Sequence, residues 1–193
     1  AQLGLKGLWA LASIGAIASK YAQTKRETSR KYPCPPSEAK VFAQFKRLFD
    51  RLLRKESGHL TDNPLENGGW IYQRKNGDLV FGRAERWRRE PGQIDLTNPP
   101  SVKGGGRVIA KVHTHPYKPY QQAEIDREFY RSNGSIIKSG PSTKGPDGKL
   151  GDVEIANQEQ IPLITIFSAG GYIFVQTVGP TRLPDKNCKG GVQ

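Results

Sequence analysis

The 193-residue sequence contains no methionine and only two cysteines, Cys34 and Cys188. A chain without an initiator methionine is expected to be a processed product or a piece of a longer protein. The two cysteines allow a single intramolecular disulfide across a very long loop, and two free thiols are equally compatible with the sequence. They do not have the spacing of a zinc-binding cysteine pair.

The chain also lacks an apolar run of the roughly 20 residues that a membrane-spanning helix needs. The most apolar stretch lies between Lys6 and Lys20. We interpret it as a helix that packs on a parent polypeptide, since no convincing cleavage site marks it as a signal peptide. Any membrane contact would come through this segment. The prolines between Tyr32 and Ser37 exclude a helix and predict a linker, which separates residues 1–36 from a domain at 37–193.

Acidic residues are scarce: 18 Asp and Glu stand against 30 Lys and Arg, for a net charge of +12. Residues 1–60 carry 12 basic and 4 acidic side chains, whereas residues 61–193 carry 18 and 14. A basic N-terminal third is compatible with nucleic-acid contact, but the near balance elsewhere argues against nucleic acid as the main partner. The 3 Trp, 7 Tyr and 7 Phe supply enough apolar surface for a core, which excludes wholesale disorder.

Hydrophobic spacing predicts a helix that begins after an N-cap at Ser37 and stops near Gly58. Asn76-Gly77 predicts the turn of a β-hairpin. The later patterns predict, in order, a buried strand over Arg107–His113, a helix over Gln121–Arg131, a helix over Asp152–Gln160, and a hairpin of Leu163–Phe167 with Tyr172–Val178. This order of elements predicts an α+β domain with a mixed β-sheet and flanking helices.

Two histidines, His113 and His115, lie two residues apart at the end of a predicted strand, just before Pro116. Side chains two apart on a strand point to the same face, so both imidazoles can reach one metal ion. Taken alone, the pair is equally consistent with ordinary half-buried strand histidines.

The residues around this pair resemble, in order, the motifs of the JAB/MPN (JAMM) metal-dependent isopeptidases. That pattern is a Glu shortly before a Gly at the start of a strand, then His-x-His-Pro, then a Ser and an Asp at the start of a helix. This chain has Glu66 before Gly68, the motif at 113–116, Ser142 and Asp152. The stretch from 152 to 175 resembles JAB-related toxin domains that end Rhs-type polymorphic effectors. The resemblance covers about residues 60–178 and implies a JAB/MPN-like (cytidine-deaminase-like) core.

The resemblance also implies a chemistry. Zn²⁺ would be held by His113, His115 and Asp152. Glu66 would take a proton from the attacking water and return it to the leaving amine, and the Ser142 hydroxyl would stabilise the oxyanion. The reaction would be hydrolysis of a peptide or isopeptide amide bond without a covalent intermediate. At the family's usual spacing after His115 the chain instead offers Asp126, which stays open as the rival third ligand.

The resemblance finally implies the toxin domain of a secreted bacterial effector used in interbacterial competition, for example through type VI secretion. Such a domain would be delivered into a target cell, act on a protein or peptide substrate, and have a cognate immunity protein and a parent Rhs or delivery protein as partners. Two alternatives stay open: a metal-dependent nuclease toxin using the same histidines, and a non-catalytic JAB-like binding module. His59 follows a predicted helix end, where a histidine that is exposed or in contact with the helix dipole is the usual outcome, and it receives no catalytic role.

Overall fold

The computed structural model of the protein describes residues 36–85, 89–90, 93–134, 140–142 and 150–180. The apolar N-terminal stretch and both cysteines lie outside these residues, so the packing helix stays a prediction and the pairing of Cys34 with Cys188 stays open. Within the described part of the chain, no helix combines the length and apolar character needed to cross a bilayer.

The first helix, α1 (Glu38–Arg51), begins as its sequence predicts, because the Ser37 hydroxyl accepts a hydrogen bond from the Lys40 N–H at 3.3 Å. Its apolar face is buried, with Val41, Phe45 and Phe49 in the core. Beyond α1 the chain continues as a π-helical turn, Leu52–Glu56. The predicted helix is therefore confirmed, but its last part is wound more loosely than an α-helix.

A five-stranded mixed sheet forms the centre of the fold, with the strand order β2-β1-β5-β6-β7. Only β5 and β6 are parallel, and the other neighbours are antiparallel. The strands of this sheet are β1 (Gly68–Gln73), β2 (Leu79–Arg83), β5 (Arg107–His115), β6 (Leu163–Ala169) and β7 (Tyr172–Val178), and a separate small pair consists of β3 (Arg89–Glu90) and β4 (Gln93–Ile94). The predicted α+β class with a mixed sheet and flanking helices is confirmed.

Alternation along β5 divides its side chains between two layers. Val112 joins the core beneath α1 and the π-helical turn, and Thr114 reaches Ser57 just after that turn. Residues 111, 113 and 115 point to the opposite face, where the remaining helices α2 (Pro119–Arg131) and α3 (Asp152–Glu159) complete the domain. One face of β5 therefore builds the core, and the other face is left for polar side chains.

Candidate metal centre

The two histidines of the His-x-His motif lie at the carboxyl end of β5. His113 is in register with Gly68 of β1 on one side and with Thr165 of β6 on the other. Strand pairing stops at His115 because Pro116 has no N–H to donate. The two rings lie with their centroids 4.8 Å apart, so the shared face predicted from their spacing is confirmed.

Asp152, in the first turn of α3, lies between the two imidazoles. Its Oδ1 is 3.3 Å from the His113 Nε2, and its Oδ2 is 3.3 Å from the His115 Nε2. One potential ligand atom from each of these three residues can be chosen so that all three atoms lie within 4.8 Å of one another. His113, His115 and Asp152 therefore lie close enough together to hold a metal ion.

Helix α3 is held against β5 at both of its ends. At the amino end Asp152 faces the histidines, and at the carboxyl end Glu159 forms a salt bridge with the buried ammonium group of Lys111. Lys111 lies two residues before His113 on the same face of the strand, and Glu159 lies seven residues after Asp152, two helical turns along. The helix therefore runs along the strand, which places its first turn beside the imidazoles.

Ser142 and Asp152 bind each other through a reciprocal pair of hydrogen bonds. The Ser142 N–H donates to the Asp152 Oδ2 at 2.8 Å, and the Asp152 N–H donates to the Ser142 Oγ at 3.0 Å. These bonds orient the carboxylate toward the histidines. They also bring Ser142 to the centre, although it lies ten residues before Asp152 in sequence.

Glu66 lies on the other side of His113, with its Oε2 3.6 Å from the His113 Nδ1. The chain next to Glu66 is fixed on β5, because the Asn67 N–H donates to the Thr114 Oγ1 and the Thr114 N–H donates to the Asn67 carbonyl, both at 2.9 Å. The side chain of Glu66 is 12% exposed, so the carboxylate is largely withdrawn from water.

Gly68 is required where β1 meets β5. A Cβ atom at this position would lie 2.0 Å from the Val112 carbonyl oxygen and 2.9 Å from the His113 Cα. Both are backbone atoms that cannot rotate away. The glycine that follows Glu66 in the motif therefore allows the close approach of strands that brings Glu66 beside His113.

We expect Gly68→Ala to lower the free energy of unfolding by about 3 kcal/mol or more, because the added methyl group forces β1 and β5 apart. Gly105→Ala is the matched control: its Cβ meets nothing within 4 Å, so only its positive φ of +67° counts. That control should cost roughly 1 kcal/mol. Urea unfolding of the two variants tests this expectation, and equal losses of stability would contradict it.

The carboxylate of Asp152 and the imidazole of His113 each favour the charged form of the other. Burial alone would raise the pKa of Asp152, but His113 and His115 outweigh it and hold that pKa well below its usual range. Burial likewise disfavours the charged form of His113, yet Asp152 and then Glu66 raise its pKa above the ordinary value. Asp152 is therefore a carboxylate near neutral pH, the form that binds a cation.

At Glu66 and Tyr117, burial is the dominant influence on the pKa. Burial raises the pKa of Glu66, and the two histidines only partly offset this effect. Burial, reinforced by Glu66 and Asp152, also raises the pKa of Tyr117 far above neutrality. Tyr117 therefore keeps its phenolic proton, while Glu66 accepts a proton more readily than an ordinary glutamate.

The rival third ligand, Asp126, lies elsewhere. On α2 its Oδ1 accepts hydrogen bonds from the Gly170 N–H at 2.7 Å and from the Gln122 Nε2 at 2.6 Å. Its carboxylate therefore holds α2 against the turn between β6 and β7. The structure brings Asp152 to the imidazoles and gives Asp126 a structural role.

Sequence reasoning missed two residues at the centre and misjudged a third near it. Thr165 is fully buried on β6 with its Oγ1 3.2 Å from the His113 Nε2, and its signal was a polar residue inside an apolar strand. Tyr117 has no signal beyond its place after Pro116. Of the two outcomes expected for His59, exposure is contradicted: this side chain is buried, because the turn that begins at Gly58 directs it toward Tyr117.

Comparison of the chain with known proteins finds no significant match. It matches no protein-family model, no curated protein and no solved structure at a significant level. The JAB/MPN resemblance therefore depends on the motif residues alone.

Proposed function

We propose that this protein is a zinc-dependent hydrolase of JAB/MPN (JAMM) type that cleaves a peptide or isopeptide amide bond. The observation that carries the proposal is the meeting of four motif residues from distant parts of the chain, His113, His115, Asp152 and Glu66. A strand histidine pair alone would leave its function open, but these four belong to the motif order of one enzyme family.

The donor set suits zinc. Catalytic zinc takes three protein ligands from His, Asp, Glu and Cys and keeps one position for water, whereas calcium and magnesium prefer oxygen ligands alone. With one ligand atom taken from each residue, the three atoms lie within 4.8 Å of one another, whereas ligands that share a tetrahedral zinc lie roughly 3.4 Å apart, so a small inward shift of the side chains would close the site on zinc. Zinc bound by His113, His115 and Asp152 would supply a Lewis acid that lowers the pKa of water toward about 7.

Glu66 is the proton carrier in this proposal. Its Oε2 lies 3.6 Å from the Nδ1 of His113, outside the proposed ligand set, and its buried carboxylate has a raised pKa. Glu66 takes a proton from the attacking water at one Oε atom and delivers it to the nitrogen of the leaving amine.

Ser142 supplies a hydrogen bond in this proposal. A hydroxyl has one proton to donate and two lone pairs, and the bond from the Asp152 N–H occupies only one lone pair. The Ser142 proton can therefore point to the oxygen of the scissile carbonyl as negative charge develops there.

The biological role follows the same resemblance. We propose a toxin domain of a secreted effector, related to those that end Rhs-type polymorphic toxins and delivered into a target cell. A toxin of this kind requires a cognate immunity protein in the producing cell.

The experiment that tests the function is an assay of zinc-loaded protein on three substrate classes: ubiquitin-like conjugates, peptidoglycan peptides and plasmid DNA. We expect cleavage of an amide in one of the first two classes, loss of that cleavage after treatment with a chelator, and recovery when zinc is restored. Nicking of plasmid DNA with no amide cleaved would favour the nuclease alternative and overturn the proposal. Zinc binding without cleavage of any substrate would favour the binding module.

A further inference from the structure

The segment Ser57–Leu60 follows the π-helical turn and has an unusual backbone. Gly58 has a φ of +63°, and Leu60 has a φ of +65° although it carries a bulky side chain. A residue such as Leu60 enters this region only when its surroundings impose it. π-Helical turns occur frequently at functional sites, and this segment directly follows one.

The segment forms hydrogen bonds with both the N–H and the carbonyl group of Tyr117. The His59 Nδ1 accepts a hydrogen bond from the Tyr117 N–H at 3.1 Å, and the Leu60 N–H donates to the Tyr117 carbonyl at 2.8 Å. The His59 ring also contacts the Tyr117 ring edge to face, with centroids 6.4 Å apart. Two consecutive residues therefore hold one residue of a distant loop.

Tyr117 lies two residues after His115, beyond the end of β5. Sheet pairing does not hold this part of the chain, and Pro116 has no N–H to contribute. On the other side of His115, Thr114 is held by the same segment, because the Ser57 and Thr114 hydroxyl oxygens lie 2.6 Å apart. The segment Ser57–Leu60 therefore fixes the chain both before and after His115.

We propose that His59 is a positioning residue of the metal centre, which fixes the chain after His115 by accepting the Tyr117 N–H and so aims the His115 imidazole at Asp152. This inference deepens the proposed function and rests on it. The role requires a neutral imidazole with its proton on Nε2, since only an unprotonated Nδ1 accepts a hydrogen bond. Burial, reinforced by Arg54, lowers the pKa of His59, which favours that form.

Two substitutions separate the hydrogen bond from the bulk of the side chain. His59→Asn keeps an acceptor near the position of Nδ1, whereas His59→Leu fills the space without one. We expect His59→Leu to weaken zinc binding by about tenfold, as partners that orient metal ligands commonly do, and His59→Asn to stay close to wild type. Zinc affinity is measured by competition with a chromophoric chelator.

Amide hydrogen exchange in the metal-free protein distinguishes a local effect at Tyr117 from a general loss of stability, because a general loss would speed exchange throughout the domain. The Tyr117 amide should exchange faster in His59→Leu than in His59→Asn, with unchanged exchange in the centre of β5. Imidazole ¹⁵N shifts of the metal-free wild type should show the Nε2–H tautomer at His59, a test that needs no variant.

Three outcomes would overturn the inference: wild-type zinc affinity in His59→Leu, equal losses in both variants, or the Nδ1–H tautomer at His59. Each of these leaves the proposed function intact, because the wild type still binds zinc. Failure of the wild type itself to bind zinc would instead overturn the proposed function, and the positioning role with it.

Discussion

Replacing Glu66 with glutamine is expected to reduce amide hydrolysis by about 100- to 10,000-fold, the usual contribution of a general acid–base group, while zinc binding is unchanged. Glutamine has nearly the same shape as glutamate but cannot accept a proton at neutral pH. The metal ligands His113, His115 and Asp152 are retained in this variant. The loss should therefore fall on kcat, and the metal content should match that of the wild type.

Two measurements check this expectation: the rate of cleavage of the amide substrate, and the zinc content by mass spectrometry. The matched control is Glu124→Gln, since Glu124 is exposed on α2 and is not among the residues that form the centre. That control should keep its activity. Wild-type turnover in Glu66→Gln would contradict the role of Glu66, and loss of zinc in that variant would show that Glu66 is a ligand.

The second prediction with a large expected effect concerns Asp152, the proposed third zinc ligand. Asp152→Asn should abolish activity and weaken zinc binding by at least about 100-fold. A loss of this size is at or beyond the upper end of the losses caused by removing groups that only orient metal ligands. The substitution removes the negative charge between the two imidazoles. It keeps a side chain of the same size, and the backbone N–H of residue 152 can still donate to the Ser142 Oγ.

Asp126→Asn is the matched control, because it makes the same chemical change at the other candidate ligand. Its amide oxygen can still accept from the Gly170 N–H, so we expect unchanged zinc affinity. Isothermal titration of both variants with Zn²⁺ distinguishes the two carboxylates. Weaker binding in Asp126→Asn, together with normal binding in Asp152→Asn, would reverse the assignment made from the structure.

Local patterns in the sequence were enough to predict most of the elements. The apolar stripe of α1 and its Ser37 cap, the turn at Asn76-Gly77 and the final hairpin all depend on residues close together in the chain. The shared face of His113 and His115 follows from the two-residue period of a strand. Such features need no knowledge of the tertiary fold.

The sequence favoured Asp152 as the third ligand but could not exclude Asp126. Spacing after His115 favoured Asp126, whereas the helix context favoured Asp152. What decides between them is the parallel pairing of β5 with β6 and the Lys111–Glu159 salt bridge, which together set α3 along β5. These contacts join residues far apart in the chain, and their register has no local signal.

His59 was misjudged and Thr165 was missed for the same reason. A histidine after a glycine at a helix end is usually exposed, and nothing local indicates that Leu60 adopts a positive φ and turns the chain toward Tyr117. Thr165 resembles any polar residue in a buried strand until the pairing of β6 places it opposite His113.

The most direct test of a metal centre built from a strand histidine pair and a helix aspartate is X-ray absorption spectroscopy of the zinc-loaded protein. We predict one zinc per chain with two imidazole nitrogens and carboxylate or water oxygens at about 2.0–2.1 Å, and loss of one imidazole signal in His115→Ala. A zinc with one imidazole or none, or a spectrum unchanged in His115→Ala, would contradict the account.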